Sequence, residues 1–387
     1  MITRTATQKL QQLASTFKAV AVTGARQSGK TTLVKEVFSN KPYVSLESPD
    51  VRNLAMSDPR GFLNNYPNGA VLDEVQRVPE LFSYLQELLD NSRQKGMFIL
   101  TGSNNFLLQQ NITQTLAGRI AYLNLLPFAL DELSSSGILP DNDNELMLKG
   151  FYPPVYDQDI PSPDWCSNYI RTYVERDVRQ IKAIPDLLAF DRFMRLLAGR
   201  NGQEMNYASL SIEAGVDAKT VTSWLGVLES SFIIFLLRPH HQNFNKTVVK
   251  RPKVYFHDTA LVCSLLGITN TIQLATHPLR GALFEGMVVT ELYKRRANLG
   301  LPINLFYWRS KAGQEVDVII DCGGNLYPIE IKSGMTVHPE HLRNLRYWMR
   351  LSDEKAGVLL HAGVATQRMS DGIEVINWRK FREDDWV

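Results

Sequence analysis

A glycine-rich segment near the amino terminus, Gly24-Ala-Arg-Gln-Ser-Gly-Lys-Thr31, limits the folds open to this 387-residue chain more than any other feature. The segment matches the pattern GxxxxGK[ST], follows the apolar run Ala19–Val22 and opens a helical stretch at Thr31–Phe38. Glycine torsions allow successive backbone amides to face one anion, and the amino terminus of a helix adds partial positive charge. The sequence therefore predicts a phosphate-binding loop between a buried strand and a helix. Its predicted contacts are Gly24, Ala25, Arg26, Gln27, Ser28, Gly29, Lys30, Thr31 and Thr32.

Two adjacent carboxylates end the apolar run of Gly69-Ala-Val-Leu-Asp-Glu74. Beside a phosphate-binding loop, we expect Asp73 to hold Mg²⁺ through water, with the Thr31 hydroxyl as a direct ligand. We expect Glu74 to polarise the attacking water and Lys30 to contact the β- and γ-phosphates. The combination predicts hydrolysis of a nucleoside triphosphate, and the sequence has no Asn-Lys-x-Asp motif to recognise guanine. The alternative is that the two acids only cap the next helix.

Further candidates for the hydrolytic site follow the run Phe98–Leu100, which ends in Thr101-Gly-Ser-Asn104. Ser103 is the first candidate, and Asn104 the second, to bridge the attacking water and the γ-phosphate; an ordinary helix cap is the alternative. Arg119 is the candidate for an arginine that stabilises transition-state charge, often from a neighbouring subunit. The alternative is a surface or salt-bridged arginine. Its rivals on the helical stretch Trp165–Ile181 are Arg171, Arg176 and Arg179.

Short apolar runs alternate with longer amphipathic stretches up to about residue 130, and this alternation predicts a parallel β-sheet covered by helices on both faces. The candidate strands are Lys18–Thr23, Tyr43–Leu46, Ala70–Leu72, Met97–Leu100 and Arg119–Leu125. With the three motifs described above, residues 1–135 resemble the core of AAA+ and related P-loop ATPases that insert an extra strand in the sheet. The resemblance implies ATP as the nucleotide, Mg²⁺ as the cofactor, and a ring or another homo-oligomer.

The segment Asn206–Leu225 has the pattern of a helix-turn-helix. Gly215 permits the sharp turn between two short helices, and Asp217 is placed to cap the second. The runs Phe232–Leu237 and Lys253–His257 then predict a strand pair that forms a wing. Basic residues without acids lie in and between these strands, and they predict contacts to DNA phosphates; a winged helix used for protein contacts is the alternative. The predicted DNA contacts are Lys219, Arg238, Lys246, Lys250, Arg251 and Lys253.

In the last part of the chain, acids and a lysine alternate with apolar residues in Gly313–Ile320 and Tyr327–Lys332, which predict a hairpin. Carboxylates from adjacent strands can hold Mg²⁺, and a lysine beside them can orient or deprotonate a water. Residues 280–360 thus resemble the PD-(D/E)xK fold of restriction endonucleases, although Val316 replaces the usual proline. The alternative is a hairpin with a surface salt bridge. The site that the resemblance implies consists of Glu285, Asp317, Glu330 and Lys332.

Length and composition predict two or three domains, at roughly 150 residues each. A polar stretch at 134–144 and four prolines within 152–163 indicate a linker. We divide the α/β chain into a P-loop ATPase core (1–135), a linker and helical lid (136–185), a winged helix-turn-helix (186–277) and an endonuclease-like α/β domain (278–387). The net charge of +2 favours no class of partner, and three separated cysteines fit a reducing compartment. No segment predicts a signal peptide or a membrane helix, so we expect a cytoplasmic protein.

These parts together resemble a widespread prokaryotic ATPase family. The first hypothesis is an ATP-driven, DNA-associated machine, in which hydrolysis moves or gates the carboxyl-terminal half and phosphodiester cleavage is left open. The second is a nucleotide-controlled switch or scaffold whose nuclease-like domain is catalytically silent. A plain ATPase that remodels another protein is the third.

Overall fold

The computed structural model describes residues 2–102, 115–174, 186–240 and 249–381. The first part of the chain folds around a parallel sheet, as the alternating pattern predicts. Its elements in chain order are α1 (Ala6–Thr16), β1 (Ala19–Thr23), α2 (Lys30–Val37), β2 (Tyr43–Ser45), α3 (Pro49–Ser57), α4 (Pro59–Asn64), β3 (Val71–Asp73), a 3₁₀ turn (Val75–Arg77), α5 (Leu81–Asn91), β4 (Phe98–Thr101) and β5 (Ile120–Asn124). Each predicted strand is confirmed to within two residues at either end.

The sheet runs in the order β2-β3-β4-β1-β5, with every neighbouring pair parallel. All residues of β1 are buried, because helices cover both faces of a parallel sheet. Leu33 of α2 packs on one face with Val20, and Leu85 of α5 packs on the other with Leu72. Strand β4 lies between β1 and β3, and it is the extra strand that the resemblance implies. The glycine-rich loop and the paired acids therefore meet at the carboxyl edge of the sheet.

The middle of the chain is helical. Its elements are α6 (Leu130–Ser135), α7 (Asp143–Lys149), α8 (Pro153–Asp157), α9 (Ser162–Tyr169) with a π-helical turn (Ile170–Val174), α10 (Leu187–Ala198), α11 (Tyr207–Ala214) and α12 (Ala218–Ser230). Gly215 has a φ of 75° between α11 and α12, and the Asp217 carboxylate accepts the backbone N–H groups of Lys219 and Thr220. The two helices, the glycine turn and the cap of the predicted helix-turn-helix are thus confirmed.

A second sheet organises the rest of the chain. Its elements are β6 (Ile234–Pro239), β7 (Lys253–Phe256), α13 (Thr259–Leu266), α14 (Thr271–Thr276), α15 (Arg280–Leu299), β8 (Leu305–Arg309), β9 (Glu315–Cys322), β10 (Asn325–Lys332), a 3₁₀ turn (Pro339–Leu342), α16 (Arg343–Ser352), β11 (Gly357–His361), β12 (Gln367–Arg368), β13 (Ile373–Asn377) and a last 3₁₀ turn (Trp378–Lys380). The strand order is β12-β13-β11-β10-β9-β8-β6-β7. The predicted hairpin is confirmed as the antiparallel pair β9 and β10.

The strand pair predicted for a wing is confirmed, but it is continuous with the second sheet. Strands β6 and β7 do pair antiparallel, but β6 also pairs in parallel with β8, where Arg238 lies opposite Phe306 and Pro239 opposite Tyr307. The strand pair is therefore one end of the second sheet. Local patterns could not show this, because the partner strand lies about 70 residues further along the chain.

The largest apolar core joins the middle helices to α15 and one face of the second sheet, and it includes Trp165, Phe193, Trp224 and Phe284. Trp348 of α16 packs on the opposite face. None of the helices in the described residues has the length and apolar character needed to cross a membrane.

Candidate active site

The glycine-rich loop follows β1 and turns directly into α2. Gly24 has a φ of 142° and Gly29 a φ of 91°, torsions that residues with a Cβ rarely adopt. A Cβ on Gly24 would also lie 2.0 Å from the carbonyl oxygen of Leu125, so the neighbouring strand end leaves no room for a side chain there. Lys30 is buried, and its Nζ donates to the carbonyl oxygens of Gly24 at 3.0 Å and Ala25 at 2.7 Å. The ammonium group of Lys30 is thus held by carbonyl oxygens of the loop itself.

Asp73, at the end of β3, lies beside this loop. Its Oδ2 accepts the Thr31 hydroxyl at 3.0 Å, and the Thr101 hydroxyl, at the end of β4, donates to its Oδ1. The Tyr43 hydroxyl also donates to Oδ2. Burial, followed by the hydrogen bond to Asp73, raises the pKa of Tyr43 above its ordinary value. The structure therefore brings together the two predicted magnesium residues and adds the hydroxyl groups of Tyr43 and Thr101 to the site. In the sequence, only the position of Thr101 at a strand end indicated that it could lie there.

Glu74 follows Asp73 at the same edge of the sheet. Its backbone is left-handed, with φ 57° and ψ 41°, which is strained for a residue with a side chain. The side-chain amide of Gln76 donates to Glu74 Oε2 at 2.5 Å. Strained residues held by their surroundings concentrate at functional sites, and this backbone turn carries the predicted catalytic carboxylate.

Arg119 lies at the other end of the sheet. It precedes the first residue of β5, so about five strand residues, or roughly 16 Å, separate it from the carboxyl edge. Its Nη2 donates to Asp90 Oδ2 at 2.9 Å, and this partner raises the pKa of Arg119. Arg119 therefore does not join the loop of its own chain. Predicted residues outside the described part of the chain are Ser103, Asn104, Arg176, Arg179 and Lys246.

Arg4 contacts the backbone of the phosphate-binding loop, and the sequence analysis did not predict this role. It is 5% exposed, and its Nη1 donates to the carbonyl oxygen of Ser28 at 2.7 Å. Its Nη2 donates to the Leu126 carbonyl oxygen at 2.6 Å and its Nε to Glu132 Oε1 at 3.1 Å. Glu132, which is 1% exposed, also accepts the backbone N–H of Thr5 and of Ala129. A single guanidinium thus ties the loop to the segment after β5.

Aromatic side chains of α9 support the other side of the loop. Trp165 Nε1 donates to Gln27 Oε1 at 3.1 Å, and the Tyr169 hydroxyl donates to the Arg26 carbonyl oxygen at 3.3 Å. The two rings stack, with centroids 4.7 Å apart. Gln27 has a φ of 58°, so this contact holds a loop residue in a left-handed conformation. The helix that the sequence placed in a lid therefore contacts the loop directly.

A second polar cluster lies where α15 approaches the second sheet. Lys332 Nζ lies 2.6 Å from Glu330 Oε1 and 4.0 Å from Asp317 Oδ2, and Glu285 comes from α15. Burial, reinforced by the Asp317 charge, raises the pKa of Glu330 well above its usual range. Burial also raises the pKa of Glu285, with Lys253 opposing the shift and Asp317 adding to it. The four residues predicted for the nuclease-like site therefore lie in one electrostatically linked cluster.

The placement of Lys253 as a DNA contact was wrong. The side chain is 3% exposed, and its Nζ lies 3.2 Å from Glu285 Oε1, inside the acidic cluster. The period-two pattern of β7 gave no sign of this, because the acids that attract Lys253 lie more than 30 residues further along the chain. The remaining predicted DNA contacts within the described residues are exposed: Lys219, Arg238, Lys250 and Arg251.

Three family models match successive parts of the chain. Residues 16–134 match a model described as an AAA domain, residues 141–272 a domain of unknown function (DUF8612), and residues 280–381 a domain of unknown function (DUF4143). Lys253 thus belongs to the second of these regions, whereas Glu285 and Asp317 belong to the third.

Similarity to two other proteins extends over most of the chain. Uncharacterized proteins of Mycobacterium tuberculosis and Mycobacterium bovis are each 30% identical over 346 residues, which are 89% of this chain and 76% of the relative. Among solved structures, a Walker-type ATPase of Pyrococcus abyssi is 13% identical, with a TM-score of 0.46 over 67% of this chain and 94% of that one. The RuvB Holliday junction branch migration motor of Thermotoga maritima is 17% identical, with a TM-score of 0.27 over 61% and 90%.

A parallel sheet with a phosphate-binding loop after β1 and paired acids after β3 defines the class of AAA-type P-loop ATPase domains. Residues 16–134 form such a domain. The chain belongs to the same family as the mycobacterial proteins, and the similarity extends over 89% of its length.

Proposed function

We propose that the protein hydrolyses ATP with the help of Mg²⁺. The observation that carries the proposal is the hydrogen bond of 3.0 Å between the Thr31 hydroxyl and Asp73, next to Lys30. It places a hydroxyl, a carboxylate and an ammonium group at one edge of the sheet, where a triphosphate bound in the loop would end.

The residues at this edge suit magnesium, because Thr31 and Asp73 offer the hard oxygen ligands that this ion prefers. When bound there, Mg²⁺ supplies positive charge that offsets the developing charge on the phosphates. Lys30 exchanges its two backbone carbonyl partners for phosphate oxygens. Glu74 orients the attacking water and accepts its proton. The bond between the water oxygen and the γ-phosphorus then forms as the bond from the γ-phosphorus to the bridging oxygen breaks, and ADP leaves with that oxygen.

The test is the steady-state ATPase rate of the full chain. We expect Lys30→Ala to abolish hydrolysis, because the phosphates lose their main cation. Glu74→Gln should lower kcat by about 10²–10⁴-fold while ATP binding stays within a few-fold, as for a residue that acts on the water. Lys95→Ala, which removes an exposed lysine of the same domain, is the matched control and should leave the rate unchanged. A wild-type rate in Lys30→Ala would contradict the proposal.

The position of Arg119 at the far edge of the sheet supports action on a neighbouring subunit, and hence a homo-oligomer. The expected result is that Arg119→Ala alone loses most hydrolysis. Mixing it with Lys30→Ala should restore part of the rate, because each subunit supplies what the other lacks. Asp90→Ala, which only frees Arg119 from its ion pair, should remain active. Full activity of Arg119→Ala would remove this part of the proposal.

We further propose that hydrolysis serves a DNA-associated activity of the region after the ATPase domain. The support is the set of exposed cations around β6, namely Arg238, Lys250 and Arg251. A change of these three to alanine should weaken DNA binding equally for all sequences. It should also reduce the slope of log K against log salt by about 0.9 for each lost phosphate contact. Lys95→Ala should leave both unchanged, and an unchanged slope in the triple variant would contradict the assignment.

A second candidate function, a nucleotide-controlled switch with a catalytically silent nuclease-like domain, is favoured by one observation. Both lysines of the carboxyl-terminal cluster are already bound to its carboxylates. Plasmid nicking with Mg²⁺ separates the two candidates. Nicking that is lost in Lys332→Ala and kept in Lys30→Ala would support cleavage, whereas no nicking by the wild type would support the switch.

A further inference from the structure

Lys253, the first residue of β7, points its ammonium group into the carboxyl-terminal acidic cluster. Its Nζ lies 3.2 Å from Glu285 Oε1 and forms a second ion pair with Glu315 Oε1. Burial alone would lower the pKa of this lysine, but Tyr255, followed by Glu285 and Asp317, raises it well above its ordinary value. The cation is therefore supplied by the middle region of the chain, and the acids by the region after it.

The carboxylates around Lys253 are arranged for an ammonium group and for hydrogen bonds, and this arrangement does not suit a metal ion. Asp317 Oδ2 accepts the backbone N–H of Ile331 at 2.8 Å, and Glu285 Oε1 accepts the Tyr255 hydroxyl at 2.6 Å. Mg²⁺ needs oxygen ligands at about 2.1 Å in near-octahedral geometry. Within the residues that the structure describes, no group of three or more acids, histidines or cysteines is arranged to hold a metal ion. The magnesium implied by the endonuclease resemblance therefore does not fit this cluster.

The charge balance explains why a cation is needed there at all. The carboxylates of Glu285, Glu315, Asp317 and Glu330 lie in a largely buried cluster, and a buried charge is costly unless it is paired. Lys332 pairs with Glu330, and Arg309 Nη1 lies 3.1 Å from Glu315 Oε2. Among the residues that the structure describes, Lys253 is the cation that pairs with Glu285. Removal of the Lys253 charge would thus leave acids that attract another cation.

We propose that Lys253 acts as a built-in cation: it takes the place of a divalent metal between Glu285 and Glu315 and keeps the cluster metal-free. This inference does not depend on ATP hydrolysis, and it gives the silent-domain candidate a physical basis. Lys253 lies on β7, the last strand of the sheet, which pairs with β6 on one side. The occupied state therefore depends on the position of β7 beside α15 and on the ion pair that Lys253 forms with Glu315 of β9.

The test is binding of Mn²⁺ to the nucleotide-free full chain, followed by calorimetry and by the electron paramagnetic resonance signal of free Mn²⁺. The wild type and Lys253→Arg, the matched control that keeps the charge, should show no site that depends on Glu285. Lys253→Met should gain a Mn²⁺ site that depends on Glu285, and it should bind Mn²⁺ at least roughly tenfold more tightly than any residual binding by the wild type, because the repelling ammonium is gone. Adding Glu285→Gln to Lys253→Met should abolish the gained site, which distinguishes it from any binding near Asp73.

Two results would overturn the proposal. One is a Mn²⁺ site in the wild type that Glu285→Gln removes, since the acids would then bind metal beside Lys253. The other is folded Lys253→Met with no gain in binding. If Lys253→Met does not fold even with Mn²⁺ present, the wild-type and Glu285→Gln titrations decide: a site that depends on Glu285 refutes the proposal, and its absence supports it.

Discussion

Replacing Arg4 by methionine tests how the phosphate-binding loop is held in place. The change keeps much of the apolar volume but removes the guanidinium that bonds the Ser28 and Leu126 carbonyl oxygens and Glu132. Removing one partner of a buried ion pair costs about 3–5 kcal/mol, because the other charge stays buried without compensation. Glu132 keeps two backbone N–H donors, at 2.7 and 2.8 Å, so we expect the lower end, about 3 kcal/mol.

The same domain offers a matched pair with the opposite burial. Arg60 Nη2 lies 2.8 Å from Glu87 Oε2, but the two side chains are 68% and 52% exposed. An exposed pair of this kind contributes about 0–1 kcal/mol, so Arg60→Met should have little effect on stability. The two substitutions thus remove the same chemical group, one from a buried ion pair and the other from a solvent-exposed ion pair.

The assay is urea unfolding followed by circular dichroism, with the KM for ATP measured on the folded variants. Arg4→Met should unfold at lower urea than Arg60→Met, and its KM should rise several-fold because Ser28 loses its anchor. Arg4→Met combined with Glu132→Gln should recover part of the lost stability, since the unpaired charge is removed. Equal effects of Arg4→Met and Arg60→Met would refute the reasoning.

Two further predictions concern a buried histidine and a hydrogen bond to the phosphate-binding loop. His257 is 1% exposed, and burial lowers its pKa to about 3. Because this value lies below that of the unfolded chain, about 6.5, the contribution of His257 to the free energy of unfolding is most favourable above pH 6.5. This contribution should fall by about 2 kcal/mol by pH 5. Measured by urea unfolding above pH 6.5 and at pH 5, His257→Phe should therefore lose less stability than the wild type; equal losses would contradict the assignment. Trp165→Phe removes the N–H donated to Gln27, so the KM for ATP should rise about fivefold, or roughly 1 kcal/mol, with kcat unchanged; an unchanged KM would show that the contact does not position the loop.

Much of the fold could be predicted from the sequence, because the signals were local. The loop at Gly24–Thr31 needs its glycines wherever it occurs, and the buried runs of β1, β3 and β4 differ clearly from the amphipathic helices between them. Gly215 and Asp217 likewise carry the turn and the cap of the helix-turn-helix within their own neighbourhood. Parallel pairing then brings the ends of β1 and β3 to one edge, which is why Thr31 and Asp73 could be placed together in advance.

Only the tertiary structure decided the residues whose roles depend on distant partners. Arg4 contacts Glu132, 128 positions away, and Lys253 contacts Glu285, 32 positions away, so neither pairing has a period or spacing that the sequence could reveal. Both are charged residues, and from the sequence alone such residues are expected at the surface. Their burial follows from long-range packing, which supplies the opposite charges that make a buried cation stable.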